Sequence, residues 1–284
     1  MQIKTVGVLG CGLMGSGIAQ VCAASGYKTI VREVDDRFLD NGLGRIRKFL
    51  DDGVSKGKVT KEAREGTLAN LSGTTTFDAL KECDLVIEAI VENLDDKKQT
   101  YRALEPLVKE RTIFASNTSS LCITELASST TRPDRFAGLH FFNPVPIMKL
   151  VEVIRALTTS DDTYRTVIDF ATSLGKEPIT APDRPGFIVN RLLVPYLLDA
   201  VRAYENGLGT LEDIDKGMKL GCGHPMGPFT LLDFVGLDTT YYIANIMFEE
   251  FREPAYAPPP LLKRMVLAGR LGKKSGRGFY KYEV

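Results

Sequence analysis

The chain has 284 residues, of which 44% are hydrophobic and 25% charged, and its formal net charge is zero. This length predicts two domains. The balanced charge gives no support for nucleic acid or an anionic membrane surface as a partner, and no apolar run is long enough to span a bilayer. The first predicted strand begins so close to Met1 that no signal peptide is expected.

The cysteine pattern predicts neither a disulfide framework nor a metal site. The five cysteines are scattered, their number is odd, and none of them forms a C-x-x-C pair. Because disulfide-dependent folds belong to oxidising compartments, a reducing cytoplasm is the expected location.

The first predicted elements are a buried strand over Thr5 to Leu9 and a helix over Ile18 to Ala24, joined by a glycine-rich turn. In this turn Gly10 permits the tight bend, Gly12 lets a diphosphate approach the backbone, and Gly15 lets the helix lie against the strand. The helix N-terminus offers free N–H groups and a positive dipole end to the phosphates. The pattern predicts a dinucleotide site, although a turn that binds nothing is the alternative.

An acidic residue, Glu33, ends the next apolar run. It follows the glycine turn at about the 20-residue spacing expected of an acceptor for the ribose 2′-hydroxyl. A carboxylate there favours NAD because it repels a 2′-phosphate. Arg32 and Arg37 lie close in sequence, so use of NADP stays open.

A basic helical segment interrupts the strands between Phe38 and Leu71. Its apolar spacing predicts two helices joined near Gly53 to Gly57. The basic side chains are read individually as a solvated face, but together they could hold a phosphorylated ligand.

Two further strands end in polar residues, and ligand contacts in such sheets come from the carboxyl ends of strands. Asp84 to Ile90 leads to Glu92 and Asn93, and Thr112 to Ser116 leads to a polar run over 117–120. That run is equally consistent with helix capping and with ligand binding.

Glu152 lies within an apolar strand over Lys149 to Ile154, where an unpaired buried carboxylate would be costly. It either faces solvent by strand alternation or pairs with His140, which ends the neighbouring strand from Phe136. A histidine at a strand end with a carboxylate in reach is a candidate acid/base.

The alternation of strands and helices stops at Pro182 to Gly186, which predicts a domain boundary. We therefore expect a Rossmann-type α/β domain with an inserted helical pair over residues 1–183, and an all-helical domain over residues 184–284. A long helix over Ile188 to Glu205 carries Pro195, which predicts a kink or a break. The apolar excess of these helices suggests a homodimer formed through the second domain.

Several long segments resemble the short-chain 3-hydroxyacyl-CoA dehydrogenase family, and within it the bacterial 3-hydroxybutyryl-CoA dehydrogenases. The resemblance covers nearly the whole chain and is more specific than the glycine turn. Its segments are Ala115–Leu121, Gly138–Pro146, Met148–Ile154, Pro185–Leu192, His224–Phe229 and Gly272–Tyr280.

The resemblance implies NAD-dependent oxidation of a short (S)-3-hydroxyacyl-CoA to the 3-ketoacyl-CoA, and the reverse reduction. His140 would be the acid/base, Glu152 its partner, Ser119 the group that binds the substrate 3-oxygen, and Asn190 a substrate-positioning residue. The expected NAD contacts are Gly10, Gly12, Leu13, Met14, Gly15, Glu33, Glu92, Lys97, Ser119, Asn143 and Lys274.

The family places coenzyme A on the helical pair, but this sequence has no clear match to the family's serine–lysine pair there. Arg45, Lys48 and Lys56 are therefore the candidates for its phosphates. Two alternatives remain: a dehydrogenase of free 3-hydroxy acids, which would not need a phosphate-binding insertion, and a non-enzymatic NAD-binding structural relative.

Overall fold

The computed structural model describes residues 1–283, which form two compact units that divide between Asp183 and Arg184. The first unit contains all eight strands, β1 to β8 in chain order. They are β1 Thr5–Leu9, β2 Lys28–Arg32, β3 Leu71–Thr74, β4 Leu85–Glu88, β5 Ile113–Ser116, β6 Phe136–Phe141, β7 Leu150–Arg155 and β8 Glu177–Pro182. Its helices are α1 Leu13–Ala24, α2 Asp36–Ser55, α3 Lys61–Ala69, α4 Leu94–Leu104, α5 Ile123–Ala127 and α6 Asp161–Ser173.

The strands form one sheet in the order β3-β2-β1-β4-β5-β6-β7-β8. The first six in this order are parallel, β7 runs antiparallel to β6, and β8 is parallel to β7. The order 3-2-1-4-5-6 is that of dinucleotide-binding folds, with ligands expected at the carboxyl ends of the strands. The predicted fold class is confirmed.

Helices cover both faces of the sheet because its central strands are apolar on both sides. On one face, Ile18 of α1 and Phe170 of α6 belong to a core that includes Ala115 of β5. On the other face, Tyr101 of α4 contacts Phe114 of the same strand, with ring centroids 5.3 Å apart. Successive residues of β5 thus anchor opposite layers, which holds the strand ends in a fixed arrangement.

The inserted helical pair consists of α2 and α3, as the apolar spacing predicted. Asp35 and Thr60 begin the two helices, and each side chain accepts a backbone N–H from the first turn. Leu39, Ile46 and Leu50 bury one face of α2 in the core.

The second unit is all-helical in the part that the structure describes. Its helices are α7 Val189–Glu205, α8 Leu211–Cys222, α9 Pro228–Val235, α10 Leu237–Phe251 and α11 Pro260–Leu267. Helix α7 continues through Pro195, so of the two predicted outcomes, a kink or a local break, the break does not occur. The lost backbone hydrogen bond is compensated by packing, since the next turn of the helix, including Leu197 and Leu198, is buried in the core of the unit.

Two buried aspartates fasten the C-terminal tail of this unit to its helices. Asp233 accepts the backbone N–H groups of Phe279 and Tyr280, both at 2.8 Å. Asp215 accepts the hydroxyl of Tyr280 at 3.1 Å and caps α9 through the backbone N–H of Phe229 at 2.8 Å. The tail is therefore an integral part of the fold.

Among residues 1–283, no helix has both the length and the apolar composition needed to cross a bilayer.

The sequence did not predict strand β3, which joins the edge of the sheet beside β2. It has four residues, includes a glycine and lacks a buried residue, so it gives no periodic signal.

Candidate active site

The glycine turn between β1 and α1 is packed so tightly that two of its glycines have no room for a side chain. A Cβ on Gly10, which has a φ of +90°, would lie 2.6 Å from the carbonyl oxygen of Ala89. A Cβ on Gly15 would lie 2.0 Å from the carbonyl oxygen of Gly10. Gly12, by contrast, has no atom within 4 Å of its Cβ position, and no side chain caps the N-terminus of α1. The turn thus leaves open space beside uncapped N–H groups, which fits a diphosphate.

Charged side chains bind both the backbone N–H and the backbone carbonyl group of Cys11. The backbone N–H of Cys11 donates to Glu33 Oε1 at 2.6 Å, and the N–H of Val34 donates to Oε2 at 2.9 Å. Arg45 of α2 donates from Nη2 to the carbonyl oxygen of Cys11 at 2.5 Å. Glu33 is thereby fixed at the end of β2, beside the turn. Burial raises the pKa of the Cys11 thiol to about 11, with a further contribution from Glu33, so the thiol is protonated near neutral pH.

His140 and Glu152 are directly opposite each other on the antiparallel strands β6 and β7. His140 Nδ1 lies 2.7 Å from Glu152 Oε2, and the two residues are only 4% and 0% exposed. A carboxylate can only accept a hydrogen bond, so Nδ1 carries the proton and Nε2 is the acceptor nitrogen. Glu152 therefore pairs with His140 and does not face solvent. The hydrogen bond offsets the free-energy cost of burying the carboxylate.

Ser119 lies on the other side of the imidazole. Its Oγ is 3.1 Å from His140 Nε2. It belongs to the turn that follows β5 and is partly exposed, unlike its buried neighbours Thr118 and Ser120. A ligand oxygen that reaches this point would meet a hydroxyl group and an imidazole nitrogen together.

Glu92 organises the turn that carries Ser119. Its Oε1 accepts the backbone N–H of Ser119 at 3.0 Å and also binds the hydroxyl of Thr118. The Thr118 hydroxyl in turn accepts the N–H of Leu121 at 2.9 Å. The polar run over 117–120 is therefore held by a carboxylate from the neighbouring strand end, and only Ser119 points to the histidine.

Glu92 also forms an ion pair with the buried Lys97, which pairs with Glu88 as well. Lys97 Nζ lies 2.5 Å from Glu88 Oε1 and 3.1 Å from Glu92 Oε2, and its side chain is 1% exposed. Burial alone would lower the pKa of Lys97, but the two carboxylates outweigh it and the net shift is upward. Burial raises the pKa of Glu88, the fully buried member. Sequence analysis missed Glu88, although an acid that ends a buried strand was the available signal.

The loop after β6 is fixed by a buried lysine that sequence analysis also missed. Lys176 donates from Nζ to the carbonyl oxygens of Val145 and Met148, at 2.5 and 2.8 Å. Asn143, a predicted NAD contact, is exposed at the start of this loop. Asn117, which follows β5, forms a hydrogen bond to β6, because its Oδ1 accepts the backbone N–H of Phe141 at 2.9 Å.

The remaining predicted residues fall into two groups. Arg45 and Lys48 lie on α2 and Lys56 at its C-terminal end; Lys48 and Lys56 are exposed, whereas Arg45 contacts the glycine turn. Asn190 and Lys274 belong to the second unit, where Asn190 lies in the first turn of α7 and Lys274 pairs with Asp238 at 2.7 Å. Within residues 1–283, no group of His, Cys, Asp and Glu side chains could hold a metal ion.

Comparison with known proteins gives matches along the entire chain. Residues 5–184 match the NAD binding domain of 3-hydroxyacyl-CoA dehydrogenase, and residues 186–282 match its C-terminal domain. The 3-hydroxybutyryl-CoA dehydrogenase of Mycobacterium tuberculosis is 50% identical over 99% of each chain. The mitochondrial hydroxyacyl-coenzyme A dehydrogenase of Sus scrofa is 50% identical over 99% of this chain and 92% of its own length.

A solved structure shows the same similarity in three dimensions. The (S)-3-hydroxybutyryl-CoA dehydrogenase of Ralstonia eutropha superimposes with a TM-score of 0.95 at 46% identity, and the match covers 100% of both chains.

Proposed function

The chain belongs to the 3-hydroxyacyl-CoA dehydrogenase family, an NAD-dependent class of enzymes, and on this basis we propose its substrate and mechanism. The enzyme oxidises (S)-3-hydroxybutyryl-CoA to acetoacetyl-CoA and catalyses the reverse reduction, with His140 and Glu152 as the acid/base pair. The observation that carries this proposal is the line of hydrogen bonds from Ser119 Oγ through the imidazole to Glu152. Relatives with this substrate in their names cover nearly the full chain.

The imidazole of His140 moves the proton. Oxidation of a secondary alcohol requires the C3 hydroxyl to lose its proton, and Nε2 is the nitrogen that faces away from Glu152 and can accept it. Glu152 fixes the tautomer and stabilises the imidazolium that forms, as buried carboxylates do in other catalytic histidine pairs. In the reverse direction the same nitrogen returns the proton to the 3-oxygen.

Ser119 holds the 3-oxygen against His140. Its hydroxyl and Nε2 are 3.1 Å apart, so one substrate oxygen that lies beside both atoms can form a hydrogen bond with each. Glu92 keeps this hydroxyl in place through the backbone N–H of Ser119. The residue thus orients the reacting carbon.

NAD supplies the hydride acceptor when it is bound. The glycine turn would hold its diphosphate, and Glu33 its adenosine ribose, with Leu13, Met14, Glu92, Lys97 and Asn143 as the further proposed contacts in this unit. Asn190 and Lys274 are proposed as substrate and NAD contacts on the family resemblance alone. Lys48 and Lys56 are the exposed candidates for coenzyme A phosphates.

The loss of NADH absorbance on addition of acetoacetyl-CoA tests this function. Free acetoacetate is the control, because a dehydrogenase of free 3-hydroxy acids would reduce it equally well. Turnover with acetoacetyl-CoA but not acetoacetate supports the proposal. Binding of NADH without turnover of either compound would favour a non-enzymatic role.

Two further properties remain proposals. We propose a homodimer formed through the helical unit, where several large apolar side chains are exposed, including Leu192, Leu208 and Leu220. Sedimentation at micromolar concentration tests it, and a single species of monomer mass would contradict it. The cytoplasmic location stays a prediction that cell fractionation can test.

A further inference from the structure

Ser119, His140 and Glu152 form a hydroxyl–imidazole–carboxylate line, the arrangement that activates serine nucleophiles in hydrolases of unrelated folds. We propose that Ser119 is also a nucleophile, which accepts an acyl group from activated esters and thioesters. The product is an acyl-serine that water releases slowly. This acyl transfer is independent of NAD and competes with the dehydrogenase reaction for the same hydroxyl.

The tautomer of His140 is the one that this reaction needs. Glu152 accepts the Nδ1 proton at 2.7 Å, so Nε2 is the basic nitrogen, and Ser119 Oγ lies 3.1 Å from it. In the absence of substrate, the serine hydroxyl is the group that donates to Nε2. General-base assistance of this kind is how a serine, weakly acidic on its own, becomes reactive.

The position of Ser119 allows an ester to reach it. The residue is partly exposed in the turn between β5 and α5, whereas Ser116 and Ser120 beside it are both 0% exposed. Glu92 holds the backbone of this turn, so the hydroxyl is presented at a fixed place. Of the three neighbouring serines, only Ser119 is both accessible and paired with a base.

The reaction balances as a two-step acyl transfer. Ser119 Oγ attacks the ester carbonyl carbon while His140 Nε2 takes the hydroxyl proton, which gives a tetrahedral alkoxide. This intermediate collapses and breaks the bond from carbonyl carbon to the leaving alkoxide or thiolate, which leaves with the proton from Nε2. Water then attacks the acyl-serine, assisted by the same nitrogen, and releases the carboxylic acid and free Ser119.

The same surroundings make the reaction slow. Serine hydrolases use backbone N–H groups next to the nucleophile to stabilise the oxyanion, but the N–H of Ser119 is already bound to Glu92 at 3.0 Å. Loss of one such donor costs about 10²- to 10³-fold in kcat. We therefore expect reaction with p-nitrophenyl esters and thioesters, no cleavage of amides, and accumulation of the acyl-enzyme.

The acyl donor in the cell would be a coenzyme A thioester, an inference that rests on the proposed function. The thioester carbon of a 3-ketoacyl-CoA lies one methylene away from C3. A ligand displaced by that distance brings this carbon to Ser119. Acylation would then remove the hydroxyl that binds the 3-oxygen, so an acyl-enzyme is inactive as a dehydrogenase.

The test uses the full-length protein without nucleotide and p-nitrophenyl acetate as the acyl donor. We expect a burst of p-nitrophenolate equal to the protein concentration, a mass gain of one acetyl group, and its assignment to Ser119 by peptide mapping. Ser119→Ala should abolish the burst, and Glu152→Gln should slow it at least about tenfold, because the charge-assisted bond to the imidazole is lost. Ser128→Ala is the matched control, since Ser128 is exposed, donates only to the carbonyl oxygen of Glu125, and should not change the burst.

An equal burst in wild type and Ser119→Ala, or acetyl groups on lysines alone, would overturn the inference. His140→Asn provides a second variant, which must also lose the burst. Reduction of acetoacetyl-CoA by NADH is measured on the same samples and should fall in proportion to Ser119 acetylation. Acetylation of a protein that never reduces acetoacetyl-CoA contradicts the proposed function alone, and dehydrogenase activity without acetylation contradicts this inference alone.

Discussion

Arg45 donates to the carbonyl oxygen of Cys11 over 2.5 Å, so helix α2 is bound directly to the glycine turn. The backbone N–H of the same residue donates to Glu33. Two opposite charges thus clamp one residue of the turn. We therefore propose that Arg45 supports the nucleotide side of the site and that Lys48, three residues later, does not.

The contact predicts different effects for two neighbouring basic residues. Arg45→Met should weaken NADH binding about fivefold, which corresponds to one hydrogen bond from a charged donor at a partly exposed site. Lys48→Met should leave NADH binding unchanged and raise the KM for acetoacetyl-CoA. Fluorescence titration with NADH and steady-state kinetics separate the two. If Arg45→Met leaves NADH binding unchanged and raises the KM for acetoacetyl-CoA, Arg45 binds the coenzyme A phosphates and not the nucleotide side.

The histidine–glutamate pair predicts a graded loss of turnover. Glu152→Gln keeps the shape of the side chain but removes the charge that stabilises the imidazolium, so kcat should fall by about 10²- to 10⁴-fold while NADH still binds. His140→Ala should nearly abolish turnover. Thermal unfolding of both variants serves as the folding control. Wild-type kcat in Glu152→Gln would remove the carboxylate from the mechanism.

The buried pair of Lys97 and Glu88 predicts a stability effect away from the reacting atoms. Glu88→Gln leaves the Lys97 ammonium without its fully buried partner, and breaking such a pair costs about 3–5 kcal/mol. The free energy of unfolding in denaturant measures this loss. Glu110→Gln, at an exposed side chain, should change stability by less than about 0.5 kcal/mol. A similar small change in Glu88→Gln would show that the pair is not stabilising.

Glu33 predicts a preference for NAD over NADP. Its carboxylate is fixed by the N–H groups of Cys11 and Val34, so it cannot easily turn away from a 2′-phosphate. The neighbouring Arg32 guanidinium stacks over the Phe77 ring at 4.2 Å. We expect a higher kcat/KM with NADH than with NADPH. Glu33→Gln should narrow the difference, and an NADPH preference in wild type would contradict the assignment.

Asp84 predicts a pH-dependent contribution to stability. Burial raises its pKa, but the backbone N–H groups of Lys4 and Thr5, at 2.9 and 3.1 Å, together with Lys109 outweigh burial and lower it. A carboxyl group with a lowered pKa stabilises the fold above its unfolded value of about 3.9 and loses this effect as the pH falls. Asp84→Asn should therefore lose about 1–3 kcal/mol at neutral pH.

The gap between wild type and Asp84→Asn should begin to close as the pH falls below about 4, where the unfolded carboxyl group becomes protonated. It should close fully only below the lowered pKa of folded Asp84, where both side chains are neutral. Denaturant unfolding at a series of pH values measures this change. A gap that stays constant across the series would show that the carboxylate charge is not responsible.

Local patterns were sufficient for the parts of the site that lie within one strand–turn–helix segment. The roles of the three glycines could be predicted because the geometry of a single turn requires Gly10, Gly12 and Gly15. The pairing of His140 with Glu152 could be offered only as one of two alternatives, since alternation along β7 is the same whether its polar face meets solvent or a neighbour. The antiparallel pairing of β6 and β7, which puts Glu152 directly opposite His140, decides between these alternatives.

Contacts between distant segments could not be read from the sequence. Helical spacing puts Arg45 and Lys48 on the same side of α2, but it does not say which of them reaches the glycine turn. Lys97 stays a proposed NAD contact, but its ion pairs with Glu88 and Glu92 had no signal in the sequence. Such networks depend on how α4 packs against the sheet, which no local pattern encodes.

The direct opposition of His140 and Glu152 makes the enzyme sensitive to small insertions and deletions. Side chains alternate along a strand, so a slip of one residue in β7 would bring Val151 or Val153 opposite the imidazole and turn the carboxylate to the other face of the sheet. The connecting segment over residues 142–149 is also fixed, because Lys176 binds the carbonyl oxygens of Val145 and Met148. We expect a one-residue insertion in β7 to abolish turnover, because it breaks the pairing of the acid/base residues.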